Sequence, residues 1–276
     1  MEAVLEILKG ILFGVVEGVT EWLPISSTGH MIILEDIIKL DVSEDFWNFF
    51  LVVIQLGAII AVVVTMWHKI DPFVYSKETG LKVKMSTVKL WLKIIVACIP
   101  AAIVGILFDD ILEEYLYNSI VVSIMLIVFG IGFIIIESKK RERFRVNSLK
   151  DLSYKDAIYI GLFQLIAAIF PGTSRSGATI LGALMIGVNR TVATEFTFFL
   201  AIPVMFGASL LKVIKIGLAF TFTEYLILFA GMLSAFIVSV LVIKFLLNYV
   251  KKHDFKPFGY YRIVLGVIVL VYFIFN

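Results

Sequence analysis

Six stretches of this chain, 46–67, 87–108, 119–138, 192–214, 224–247 and 259–275, are apolar for long enough to cross a membrane. A hydrocarbon core of about 30 Å takes about 20 residues of helix. Within lipid every backbone N–H and C=O must be satisfied by the protein itself, so such runs are confined to helix. The chain is 61% hydrophobic, where roughly 45–50% apolar residues is usual for a soluble domain, and its mean hydropathy is +1.02. These features predict an all-α, polytopic integral membrane protein, a single transmembrane domain over residues 1–276 with about six transmembrane helices.

Two further apolar segments, 3–38 and 154–188, do not make clean crossings. Each is broken in its middle by a Pro-containing polar run, "LPISSTGH" (23–30) and "FPGTSRSGAT" (170–179). Both are expected to be re-entrant helical hairpins. Basic residues cluster at 69–93 (Lys69, Lys77, Lys82, Lys84, Lys89, Lys93), at 139–155 (Lys139, Lys140, Arg141, Arg143, Arg145, Lys150, Lys155) and at 251–262 (Lys251, Lys252, Lys256, Arg262). The positive-inside rule makes these connections cytoplasmic. The connection at 109–118, with Asp109, Asp110, Glu113 and Glu114 and no basic residue, falls on the other side. Three spans lie between residue 45 and the 139–155 loop, so the first broken segment faces outward and the second starts from inside.

An offset of 147 superposes "GVVEGVTEWLPISST" (14–28) on "GLFQLIAAIFPGTSR" (161–175), matching Gly14 with Gly161, Glu17 with Gln164, Pro24 with Pro171, Ser27 with Ser174 and Thr28 with Arg175. Weak internal similarity together with opposite sidedness is the mark of an inverted-topology repeat, with halves of about 1–145 and 150–276. In such repeats the broken segments meet near the midplane. Helices restarting after the two tips, at "MIILEDIIKL" and "ILGALMIG" with Ser or Thr as N-cap, would aim two positive helix ends at one place, a setting for an anion such as phosphate.

Glu17 and Glu21 are four apart and share one helix face. Acidic residues at membrane depth are costly and are kept mostly where they face a cavity. Two carboxylates at this spacing suit a divalent cation, Mg²⁺ or Ca²⁺, shared with substrate phosphate oxygens; the plain alternative is a proton-sharing structural pair. His30 is a candidate acid or base, whereas His68 and His253 lie beside basic loops and read as structural. Ser27 is the best candidate nucleophile. Arg175, between two serines, offers a planar fork for a phosphate, or a structural partner for Glu17 or Glu21. A net charge of +2 argues against a nucleic-acid partner, and the single cysteine, Cys98, excludes an intrachain disulfide. The first segment lacks the basic start and small-residue cleavage site of a signal peptide, so it is expected to stay in the protein.

"EGVTEWLPISSTGH" (17–30), "VVIQLGAIIAVVV" (52–64) and "PGTSRSGAT" (171–179) resemble the bacterial undecaprenyl-diphosphate phosphatase, or bacitracin-resistance protein, family over nearly the whole chain. The resemblance implies divalent-cation-dependent hydrolysis of a C55 polyprenyl diphosphate to monophosphate and phosphate, recycling the lipid carrier of peptidoglycan synthesis. It also implies a bacterial plasma (inner) membrane location and a site opening to the outer face. Membrane lipids and a second copy of the chain, as a homodimer, are the other candidate partners. Carried onto this sequence, it makes Glu17, Glu21, Ser27, His30 and Arg175 the catalytic core, with Glu17 and Glu21 as metal ligands. Ser26, Thr28, Ser174, Arg175, Ser176 and Thr179 would line the phosphate. A transporter or flippase of a phosphate-bearing lipid is the competing class, because inverted repeats with broken helices also build transporters.

Overall fold

The computed structural model describes residues 2–76, 80–139 and 143–275; Lys77, Lys140 and Arg141 of the basic clusters lie outside them, as do the side chains of Asp109, Asp110 and Glu113. The chain runs as α1 (Glu2–Thr20), α2 (Ser27–Ile37), α3 (Glu44–Val53), α4 (Gln55–Ile70), β1 (Phe73–Ser76), β2 (Gly80–Val83), α5 (Met85–Leu116), α6 (Ser119–Ser138), α7 (Tyr154–Ile169), α8 (Arg175–Met185), α9 (Arg190–Ile216), α10 (Phe222–Tyr249) and α11 (Lys256–Phe275). Six helical stretches among the described residues are long and apolar enough to cross a membrane: Glu44–Ile70, Met85–Phe108, Ser119–Ser138, Arg190–Ile216, Phe222–Tyr249 and Lys256–Phe275. They coincide with the six apolar runs of the sequence, and the chain is a multi-pass helical membrane protein. The small antiparallel β1–β2 hairpin, with Phe73 opposite Val83, was not foreseen; it occupies a connection that hydropathy marks only as basic.

Packing relates the two halves. Helix α1 lies along α10 and α7 along α5; α4 touches α10 and α9 touches α5; α2 touches α11 and α8 touches α6; α6 lies along α11. Exchanging α1 with α7, α2 with α8, α3–α4 with α9, α5 with α10 and α6 with α11 returns these pairs, whereas the contacts of α8 with α9 and of α2 with α6 have no comparable counterpart among the described residues. Gly14 and Gly161 occupy matching places: a Cβ on Gly14 would sit 2.2 Å from the Gly231 carbonyl oxygen, and one on Gly161 2.3 Å from that of Ala97. Absence of a side chain at both positions lets the backbones of paired helices touch, the usual device where hydrophobic exclusion cannot drive helix association.

Two basic residues are not loop charges. Lys93 is buried inside α5, with its ammonium 3.5 Å from the Lys150 carbonyl. Arg262 lies within α11 and is wholly inaccessible. Arg190 forms a two-pronged pair with Glu137 (2.8 and 2.6 Å) and Lys69 pairs with Glu195 (2.6 Å), tying α9 to α6 and α4.

Candidate active site

The two broken segments form the two tips. After α1 the chain turns through residues 21–26, and after α7 through 170–174. Each turn ends on a serine with positive φ, Ser26 at 73° and Ser174 at 67°, a conformation that is strained for any residue with a Cβ and concentrates at functional sites. Each serine caps the next helix by accepting a backbone N–H, from Gly29 at 3.4 Å and from Gly177 at 3.1 Å. Helices α2 and α8 therefore start directly behind their caps, earlier than the apolar runs suggest, and Ser27, Thr28 and Arg175 stand in first turns. This corrects the alignment of the halves. Upstream of the turns the offset is 147, but the second turn holds one more residue between its proline and its cap. Gly172, at φ 83°, takes up the difference, with its Cα so close to α6 that a Cβ would lie 2.4 Å from the Val122 carbonyl oxygen. Ser26 thus matches Ser174, Ser27 matches Arg175, and Thr28 matches Ser176.

Glu21 is the hub of the site. Its Oε2 accepts the Ser27 hydroxyl at 2.8 Å, and its Oε1 accepts Arg175 Nη2 at 3.0 Å. Arg175 also donates Nη1 to the Thr197 carbonyl at 2.9 Å, and its guanidinium carbon lies 5.9 Å from the centre of the Trp22 ring. One turn earlier Glu17 is 2% exposed, and its Oε1 has no hydrogen-bond partner. Both carboxylates project from the end of the first segment, and the cation arrives from the second.

Four other residues expected around a phosphate instead use their hydroxyls to brace the tips. Ser26 and Ser174 are caps. Ser176 donates to the Glu21 carbonyl at 3.0 Å, and Thr179 donates to the Arg175 carbonyl at 2.9 Å beside Thr197 Oγ1 at 2.8 Å. Thr28, by contrast, lines a cavity of ≈ 820 Å³ together with Glu17 and Ser27. Its walls include Met31, Ile32, Trp47, Leu51, Val52, Ala208 and Leu211, and it reaches Glu35, Lys39, Glu44 and Lys212 near the connection between α2 and α3. A pocket with an apolar wall and charged groups at both ends suits a ligand that is part lipid and part anion.

His30 is not brought to Ser27. Its Nδ1 is 2.7 Å from the Ser26 carbonyl and its Nε2 2.7 Å from the Tyr261 hydroxyl, with the two rings stacked at 5.6 Å. In a neutral imidazole this pattern puts the proton on Nδ1 and makes Nε2 the acceptor of the tyrosine O–H. The carboxylate that accepts the Ser27 hydroxyl is Glu21. Sequence reasoning also missed Tyr261 and Arg262; the usable signal for Arg262 was its place inside the apolar run "RIVLGVIVLVYFIF", beyond the flanking lysines.

Among the described residues no group of three or more His, Cys, Asp and Glu side chains could cage a metal ion. The pair Glu17 and Glu21 remains, with the unpartnered Glu17 Oε1 as its free donor.

Fold and site together define a multi-pass helical membrane protein whose cavity is lined by Glu17 and Ser27, with Glu21 hydrogen-bonded to Ser27 and to an arginine of the other half. The chain belongs to the bacitracin resistance protein BacA family, whose profile it matches over residues 10–268. It is 61% identical over 272 residues to the undecaprenyl-diphosphatase of Desulfitobacterium hafniense, covering 98% of this chain and 97% of that protein. It is 62% identical over 271 residues to undecaprenyl-diphosphatase 1 of Clostridium acetobutylicum (98% of each) and 57% identical over 268 residues to the undecaprenyl-diphosphatase of Enterococcus faecalis (97% of each).

Proposed function

We propose that this chain is a phosphatase of the bacterial plasma membrane that hydrolyses undecaprenyl diphosphate to undecaprenyl phosphate and inorganic phosphate, recycling the lipid carrier of cell-wall synthesis and so conferring bacitracin resistance. Its two halves insert in opposite senses, and the cavity opens to the outer face. The observation that carries the reading is the Ser27–Glu21–Arg175 chain of hydrogen bonds at the end of a cavity with apolar walls. Relatives of nearly equal length bearing the name undecaprenyl-diphosphatase support it.

In this reading Ser27 Oγ attacks the terminal phosphorus while its proton passes to Glu21 Oε2, which already accepts that O–H. The bond to the bridging oxygen breaks and undecaprenyl phosphate leaves with that proton, which Glu21 passes on to it. Water then attacks the serine-bound phosphorus with Glu21 again the base, and the proton Glu21 takes from the water goes to Ser27 Oγ as phosphate is released. Arg175, held by Glu21 and the Thr197 carbonyl, supplies positive charge for the phosphoryl oxygens, and the N-termini of α2 and α8 add theirs. Glu17 and Glu21 would hold the divalent cation, Mg²⁺ or Ca²⁺; a buried carboxylate oxygen without a partner fits a hard cation. When bound, the cation supplies charge neutralisation at the diphosphate. In the variant where water attacks directly, Ser27 serves only as a ligand.

Phosphate release from a polyprenyl diphosphate by purified protein in detergent tests this. Release should vanish with EDTA and with Arg175→Ala. Ser27→Ala should retain less than about a tenth of the wild-type rate if attack is covalent. The exchange symmetry of the helix pairs also suits a lipid transporter; well-folded wild type that releases no phosphate in micelles, where transport has no meaning, would favour that reading.

A further inference from the structure

Arg262 is the largest charged side chain wholly removed from solvent, and none of the steps above uses it. Among the described residues no carboxylate pairs with it. Its donors instead fan out over three pieces of backbone: Nη1 to the Pro24 carbonyl at 3.2 Å in the first tip, Nη2 to Gly172 at 3.0 Å and Thr173 at 2.7 Å in the second, and Nε to Leu126 at 3.4 Å and Nη2 to Met125 at 3.5 Å on α6. Its guanidinium carbon lies 5.8 Å from the Phe129 ring centre. Pro24 is three residues from Ser27, and Thr173 is two from Arg175.

We propose that Arg262 is a positioning residue for the phosphatase reaction, a clasp whose guanidinium joins both tips and fixes the Ser27–Glu21 pair of one half against Arg175 of the other. The inference rests on the proposed phosphatase activity. A buried cation satisfied only by carbonyl oxygens is an expensive way to hold helices together, since an apolar side chain would pack there without desolvating a charge. Only Arg carries five donors in a rigid fork, which is what a junction of three backbones requires; Lys has the charge but three donors on a flexible stem.

The test uses Arg262→Lys and Arg262→Gln in the full chain, in detergent, with phosphate release as readout and thermal unfolding as the check on folding. A clasp predicts that folded Arg262→Lys loses about 30-fold or more in kcat with KM within about threefold, because the diphosphate still binds but reacting groups no longer align. It also predicts that combining Arg262→Lys with Ser27→Ala lowers the rate no further than Ser27→Ala alone, since residues acting as one unit are non-additive. Folded variants with wild-type kcat, or a double variant whose losses multiply, would overturn the clasp. So would failure of both single variants to fold, which would assign Arg262 to the fold alone. Inactive wild type would instead remove the phosphatase reading and the clasp with it, whereas active wild type beside an unaltered Lys variant removes the clasp only.

Discussion

The tip at residues 21–27 and the tip at residues 170–175 have nearly the same backbone and opposite chemistry. Each is a turn closed by a positive-φ serine that caps a helix, and each follows a helix whose glycine touches a partner helix's carbonyl. Yet the first carries Glu17, Glu21 and Ser27, where the second has Gln164, Ala168 and Arg175. The shared part is what builds a bent backbone closed by a positive-φ cap. The divergent part is reactive, and neither half has all of it: Glu21 accepts from Ser27 of its own half and from Arg175 of the other. The shared turn supplies geometry, and the differing side chains supply a charge pair across the joint.

The largest asymmetry should appear on swapping the hub and its counterpart. Glu21→Gln removes the acceptor of the Ser27 proton and the counter-charge of Arg175, so phosphate release should fall by at least about 10³-fold. Ala168→Ser, at the matching place near the end of α7, should stay within about threefold of wild type. Equal losses at the two positions would mean that the second tip also carries a reactive side chain at this turn, and the comparison would fail.

How much of this division was legible beforehand follows from where the signals lie. Spans announce themselves because lipid demands long apolar runs, and the tips because a proline among hydroxyls interrupts such a run; both are local. The pairing of Glu21 with Arg175 was one of two alternatives in the sequence, and only packing chooses between them. The one-residue slip after Pro171 was hidden because Ser27 and Ser174 align as well by letter as Ser26 and Ser174 do by conformation. His30 was placed beside the nucleophile by nearness in sequence, but three residues along a helix from Ser27 its ring turns to Tyr261 on α11. Arg262 was counted among topogenic charges because it stands six residues into α11 from Lys256, and a buried arginine near a helix start looks in sequence like a flanking one.

Matching residues Glu17 and Gln164 give the next effect. Both are buried, at 2% and 1% exposure, and both have side-chain atoms without partners. Gln164→Glu would place in the second half the carboxylate that the first half keeps, at a buried position whose side-chain atoms have no hydrogen-bond partner, and should lower stability by about 3 kcal/mol, the order of an unpaired buried charge. Thermal unfolding in detergent measures it. Glu17→Gln should do the reverse: unfolding near wild type, and a rate that falls and no longer rises with added Mg²⁺. Metal response intact in Glu17→Gln would remove Glu17 from the cation site.

The smallest effect tests the shared part. At Ser26 and Ser174 two terms oppose each other in each residue. The cap contributes about 1 kcal/mol against alanine and only a few tenths against glycine. The positive φ costs on the order of 1–3 kcal/mol in any residue with a Cβ and is free in glycine. Alanine variants should therefore lose about 1 kcal/mol at both tips, and glycine variants should unfold at or slightly above the wild-type temperature. A difference between alanine and glycine that is equal at 26 and 174 means both tips store the same backbone strain, as their φ values of 73° and 67° imply. If glycine is tolerated in the second tip but destabilises the first, the first serine contributes more than a bend, and the two turns are alike in shape only.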